Sequence, residues 1–154
     1  MRLEEDLVGT WRLRSRVDHL PDGAVRPEPS LGPDPLGLLI YDRAGNFAAQ
    51  FMRRDRNAVE YADAASIAPP QPGRIASNNS TAIDGYDAYF GSYVVDEATS
   101  EVTQTLDAAL TPSDVGGIVT REMHIVDKEL VIRIPLTTGD GVAVTRTLRW
   151  SREA

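Results

Sequence analysis

The chain has 154 residues, of which 42% are hydrophobic and 25% charged, with a net charge of −7 and no cysteine. That composition excludes wholesale disorder and a disulfide framework, thiolate nucleophile or cysteine-held metal. The negative charge argues against nucleic acid as a partner. No apolar run reaches the length of a membrane span, so no membrane partner is expected. Met1-Arg2-Leu3-Glu4-Glu5-Asp6 has no apolar signal core, so the expectation is one cytoplasmic domain over residues 1–154.

Period-two alternation marks eight strands. The first, residues 9–18, puts Trp11, Leu13, Ser15 and Val17 on one face and Arg12, Arg14, Arg16 and Asp18 on the other. One face is then buried and the other wet. His19-Leu20-Pro21-Asp22-Gly23 turns the chain, and the Pro- and Gly-rich stretch to Pro35 reads as irregular loop. The second strand is 36–41. Asp42-Arg43-Ala44-Gly45-Asn46 is a hairpin turn with Gly45 suited to the left-handed position. The third strand, 46–53, alternates too irregularly to assign faces to Phe47, Gln50 and Phe51. Residues 54–86 are the least regular: 57–67 suits a short helix stopped by Pro69-Pro70, and 74–86 suits another turn or two. An insert of that length is suited to a lid or plug. Its apolar side chains also leave a homodimer open. The remaining strands are 88–95, 101–110, 117–126, 130–135 and 142–151, joined by short turns. An antiparallel meander is the economical topology. The fold class expected is therefore all-β, an eight-stranded antiparallel up-and-down barrel whose first and last strands meet, with one or two short helices in the 54–86 insert.

Polar residues on inward faces point to a site. In 117–126, Val119, Arg121, Met123 and Ile125 share a face; in 142–151, Val142, Val144, Arg146, Leu148 and Trp150 do; in 101–110, Val102, Gln104, Leu106, Ala108 and Leu110 do. Arg121, Arg146 and Gln104 are thus predicted inside. A buried guanidinium needs a partner, and the inward faces of the later strands offer no Asp or Glu. An anionic or carbonyl-bearing ligand, gripped bidentately, would supply one. The competing reading has one arginine covering Trp11 and the other displaced by a bulge or held at the rim, because a one-residue slip reverses every face. Tyr89 and Tyr93 share a face with Gly91 between them, where a glycine leaves room for a ligand or a neighbouring chain. A tyrosine hydroxyl orients a polar group or, with a depressed pKa, serves as acid or base. The competing reading has both as half-buried aromatics at the rim. Arg121, Tyr89 and Tyr93 are the candidate catalytic groups; Arg146, Gln104, Tyr41, Gln50, Phe51 and Met123 are the candidate ligand contacts. His19 and His124 have no other donor at metal-ligand spacing. No Gly-x-Ser-x-Gly elbow, P-loop or dinucleotide fingerprint occurs, so neither metal nor cofactor is expected.

Four ordered segments carry a resemblance: Leu7-Val8-Gly9-Thr10-Trp11-Arg12-Leu13, Gly32-Pro33-Asp34-Pro35-Leu36-Gly37-Leu38-Leu39-Ile40-Tyr41, Tyr89-Phe90-Gly91-Ser92-Tyr93 and Leu148-Arg149-Trp150. Together they resemble the bacterial lipocalin-like domain family over nearly the whole chain. The resemblance implies a calycin-type barrel with a central cavity. It also implies that Trp11 packs at the closed end under an arginine of the last strand, for which Arg149 and Arg146 are candidates. Some lipocalin-like barrels in natural-product pathways resemble cofactor-free cyclases and isomerases; others carry ligands. Family members often have a histidine after Val-Thr in the fifth strand. Here Val102-Thr103 is followed by Gln104, which hydrogen-bonds but does not shuttle protons. Two functions stay open. One is an enzyme that orients a flexible, mostly apolar substrate for cyclisation, isomerisation or dehydration. The other is a non-catalytic carrier or sensor of a small hydrophobic ligand. A barrel filled by its own side chains is a third.

Overall fold

The computed structural model describes residues 2–56 and 82–153. Nine strands are found among them: β1 (Gly9–His19), β2 (Val25–Pro27), β3 (Leu36–Tyr41), β4 (Asn46–Met52), β5 (Tyr86–Asp96), β6 (Glu101–Ala109), β7 (Ile118–Val126), β8 (Glu129–Thr137) and β9 (Ala143–Arg152). Antiparallel pairing runs β1-β3-β4-β5-β6-β7-β8-β9 and closes with β9 on β1. The eight-stranded barrel is therefore closed, and closure removes the exposed edges that an open sheet must protect. Each predicted strand is present within a residue or two of its expected bounds. The helix expected over 57–67 lies outside the described residues, as does the 74–81 part of the turns expected over 74–86; residues 83–86 form one tight turn, closed by the Ile83–Tyr86 bridge, that leads into β5.

The stretch between β1 and β3 is not wholly irregular, because β2 pairs with the end of β1, Val17 opposite Pro27 and His19 opposite Val25. Such a proline is tolerated because β2 lies at an edge, where its missing N–H costs no ladder bond. The acidic N-terminus also departs from expectation. Leu3–Leu7 forms a short helix, α1, whose Leu7 is fully buried. Its first N–H groups have no partner inside the helix. The Glu97 carboxylate, from the β5–β6 turn, accepts from Leu3 N at 3.0 Å and Glu4 N at 2.9 Å. A turn distant in sequence thus caps α1 and fixes it across one end of the barrel.

Two bulges decide which side chains enter the barrel. In the β1–β9 ladder Leu13 pairs with Trp150 and Ser15 with Arg149, so Arg14 is an extra residue. An inserted residue reverses the alternation beyond it. Trp11 is buried before the bulge; after it Arg16 and Asp18 are buried, not Ser15 and Val17 as a simple alternation predicts. In the β5–β6 ladder Phe90 pairs with Ala108 but Gly91 pairs with Leu106, so Asp107 is extra. Leu106 is buried, yet Leu110, expected inside, is 41% exposed. Gly91 lies at this bulge, and a Cβ on it would overlap the Thr105 carbonyl oxygen. The space left by Gly91 is filled by the neighbouring strand, not held for a ligand.

At the closed end, Trp11 Nε1 donates to Leu7 O at 2.9 Å. A buried aromatic of this kind removes roughly 150–250 Å² from water, on the order of 4–6 kcal/mol at about 25 cal/mol per Å². The arginine over its ring is Arg152, at 4.3 Å from the centroid, not Arg149 or Arg146. Arg152 goes on to donate to the carbonyls of Val8, at 2.7 Å, and Asp6. Its path crosses Gly9, where φ is +144° and a side chain would collide with the guanidinium. The Gly-x-Trp start is therefore the imprint of an arginine from the other end of the chain.

Candidate functional site

Inside the barrel, Tyr41, Phe51, Tyr89, Gln104, Arg121, Met123 and Trp150 surround a cavity of about 20 Å³, with Leu39, Ala49, Ile132, Ile134 and Leu148 completing the wall. A volume of that size holds one water-sized group. Alternation on six different strands places these residues: Tyr41 on β3, Phe51 on β4, Tyr89 on β5, Gln104 on β6, Arg121 and Met123 on β7, Trp150 on β9. No acid or imidazole is among the described residues of this wall.

The polar groups form a directed chain. Gln104 Nε2 donates to Tyr41 Oη at 2.7 Å. The tyrosine oxygen is thereby occupied as an acceptor, and its own proton goes to Met123 Sδ at 3.6 Å. A thioether is a weak acceptor, so Tyr41 is a donor held toward a poor partner. Burial, with Tyr89 next in effect, pushes the Tyr41 phenol well above its ordinary pKa, which keeps that proton in place. Arg121 is half-buried and donates through Nη1 to Thr120 O at 3.4 Å. Burial lowers its pKa; Tyr89 and Tyr41 act in the other direction, and the nearby Arg146 lowers it again. A guanidinium nevertheless remains charged.

Toward the opposite end from α1, charge is buried in quantity. Arg146 and Asp18, directly opposite in the β1–β9 register, form a bidentate pair at 2.7 and 3.0 Å. Beside it Arg16 pairs with Glu28. Burial alone raises the Glu28 pKa, but Arg16 and the Ser30 hydroxyl and N–H outweigh it and hold the carboxyl below its ordinary value. Burial pulls the Arg16 pKa down, partly opposed by Glu28. These pairs border a mouth cleft of about 580 Å³ lined also by Arg26, Ser30, Thr138 and Asp140.

A family model described as a lipocalin-like domain matches residues 8–153. The chain belongs to that family. No curated protein matches it. A lipocalin-like barrel is an architecture suited to one small hydrophobic ligand, and the interior cavity and mouth cleft are where this lipocalin-like chain offers space. Among its described residues no group of three or more acids or histidines is arranged to hold a metal, and no helix is long and apolar enough to cross a membrane.

Of the residues singled out from sequence, the barrel brings Tyr41, Phe51, Tyr89, Gln104, Arg121 and Met123 to one cavity. Three lie elsewhere. Gln50 is exposed on the outer wall, where Tyr86 donates to its Oε1. Tyr93 faces inward but near the closed end; its hydroxyl donates to Asp42 O at 2.8 Å, and burial raises its pKa, the reverse of what a tyrosine base needs. Arg146 is inside, as alternation predicts, but its carboxylate partner is Asp18, brought inward by the Arg14 bulge. Alternation missed Arg16 and Asp18 because nothing local announces a bulge, and Glu28 because it follows β2 in a stretch that reads as irregular loop. The signal present was cross-strand: an acid standing opposite an inward arginine once the first and last strands are paired.

Proposed function

We propose that this lipocalin-like protein binds a small, largely apolar molecule bearing a carbonyl or carboxylate, with that oxygen placed beside Tyr41 and Arg121. The observation that carries the reading is the convergence of a tyrosine proton, a guanidinium and the Gln104 amide on one otherwise apolar cavity. An apolar pocket with a few placed polar groups is the usual form of a small-molecule site. The cavity is contracted, so the apolar body of a ligand requires the wall to repack. Met123 is the adaptable member of that wall, since an unbranched thioether refits at small cost.

The same donors would polarise a carbonyl, which is the electrophilic half of a cofactor-free cyclisation. Isomerisation by proton abstraction needs a base as well, and the described cavity wall has none. Asp87, on the Tyr89 face of β5, is buried, with its Oδ1 accepting from Ala88 N at 3.0 Å, and it is not part of that wall. Binding, as a carrier or sensor, is therefore the preferred reading over catalysis. Calorimetric titration with decanoate tests it. Wild type should bind, and Arg121→Met should weaken binding roughly ten- to hundredfold, the worth of a hydrogen bond to a charged group. Equal affinity in the two proteins, or no binding by wild type, overturns the proposal.

A further inference from the structure

Trp150 brings the cavity a further donor beside those of Tyr41, Arg121 and Gln104. Trp150 lines it, is 1% exposed, and its buried Nε1 meets no acceptor among the described residues. Trp11, the chain's other tryptophan, shows the ordinary outcome, with its Nε1 bonded to Leu7 O at 2.9 Å. Buried polar groups are nearly always satisfied, and an exception calls for an explanation. The Trp150 ring is held in place. Phe51 meets it edge-on at 5.5 Å, and a Cβ on Gly37 would lie 3.3 Å from its Cη2. The indole is thus fixed with its N–H committed to the interior.

Indole N–H and guanidinium groups donate only. The Tyr41 oxygen is taken by Gln104, and its proton rests on the weak Met123 sulfur. The wall's other acceptor atoms, Gln104 Oε1 and the Tyr89 hydroxyl oxygen, do not reach the Trp150 N–H, and the volume of about 20 Å³ admits one oxygen atom's group.

We infer that Trp150 Nε1–H and the Tyr41 hydroxyl frame a single-oxygen site. In the ligand-free protein a water molecule accepts from both; a ligand's carbonyl or carboxylate oxygen takes its place. The ligand half rests on the binding function proposed above, whereas the water half stands without it. The site selects acceptors, so decanoate should enter it and decylamine of the same chain length should not.

Nitrogen-15 spectra of the full chain test both halves, with the Trp11 indole signal as internal reference. Water-selective cross-relaxation should show a water contact at the Trp150 indole proton and none at Trp11. Absence of that contact overturns the water site. Decanoate should shift the Trp150 signal and abolish its water contact while leaving Trp11 in place; decylamine should do neither. If the water contact is present but decanoate does not bind, the oxygen site stands and the proposed ligand class falls. If decanoate binds and the Trp150 signal keeps its position and its water, the ligand half of this inference falls alone. Trp150→Phe removes the donor and keeps an aromatic ring. It should weaken decanoate binding about tenfold, as loss of one hydrogen bond implies, with an unchanged Trp11 signal showing that the barrel is intact. Undiminished binding in that variant also overturns the ligand half.

Discussion

The two ends of the barrel hold their arginines by opposite means. At the closed end Arg152 stays exposed, laid over the Trp11 face and hydrogen-bonded to main-chain carbonyls. At the other end Arg16 and Arg146 are 1% and 2% exposed, and each meets a carboxylate. The difference follows from solvent. A cation still in contact with water needs only an aromatic face and a few dipoles. A cation removed from water loses several kcal/mol of hydration, which only a well-aligned counter-charge with further hydrogen bonds offsets. Removing a charge is therefore expected to do more harm at the mouth than at the closed end.

Asp18→Asn should have the largest effect. It leaves Arg146 buried without its bidentate counter-charge and should cost about 3–5 kcal/mol in urea unfolding. Adding Arg146→Met should recover much of that loss, since an apolar side chain has no such requirement. If Asp18→Asn alone is neutral, the pair is not what holds this end together.

A pH series sharpens the contrast at intermediate size. The Glu28 carboxyl lies below its ordinary 4.5 in the folded protein. Its contribution to stability is then complete above that value and is lost as pH falls below 4.5 and through the lowered folded value. Unfolding midpoints should fall over that acid range, and Glu28→Gln should flatten the fall. A parallel decline in the variant would remove Glu28 from the account.

The smallest effect belongs to the closed end. Arg152→Ala should cost about 0.5–2 kcal/mol, the range for an arginine on an aromatic face, and thermal melting would register it. A loss as large as that of Asp18→Asn would mean that exposure does not separate the two ends.

Much of this was legible in the chain. Alternation is a local property, so the eight barrel strands, their meander and the inward facing of Gln104, Arg121 and Arg146 followed from residue order. The turn at Gly45, with φ of +89°, was legible for the same reason. The family resemblance added the closing contact between an arginine and Trp11, but not which arginine. That required the path of the last strand beyond Trp150, which brings Arg152 across Gly9.

Residue order alone dictates which segments become the eight barrel strands, though not β2, and, between bulges, which residues share a face. The tertiary structure alone decided where that parity breaks, at Arg14 and Asp107, because a bulge arises from the fit between two paired strands and not from either strand alone. It sent Gln50 outward, gave Arg146 its partner in Asp18, and left the Trp150 N–H buried without an acceptor among the described residues, on a side chain that lines a cavity of about 20 Å³.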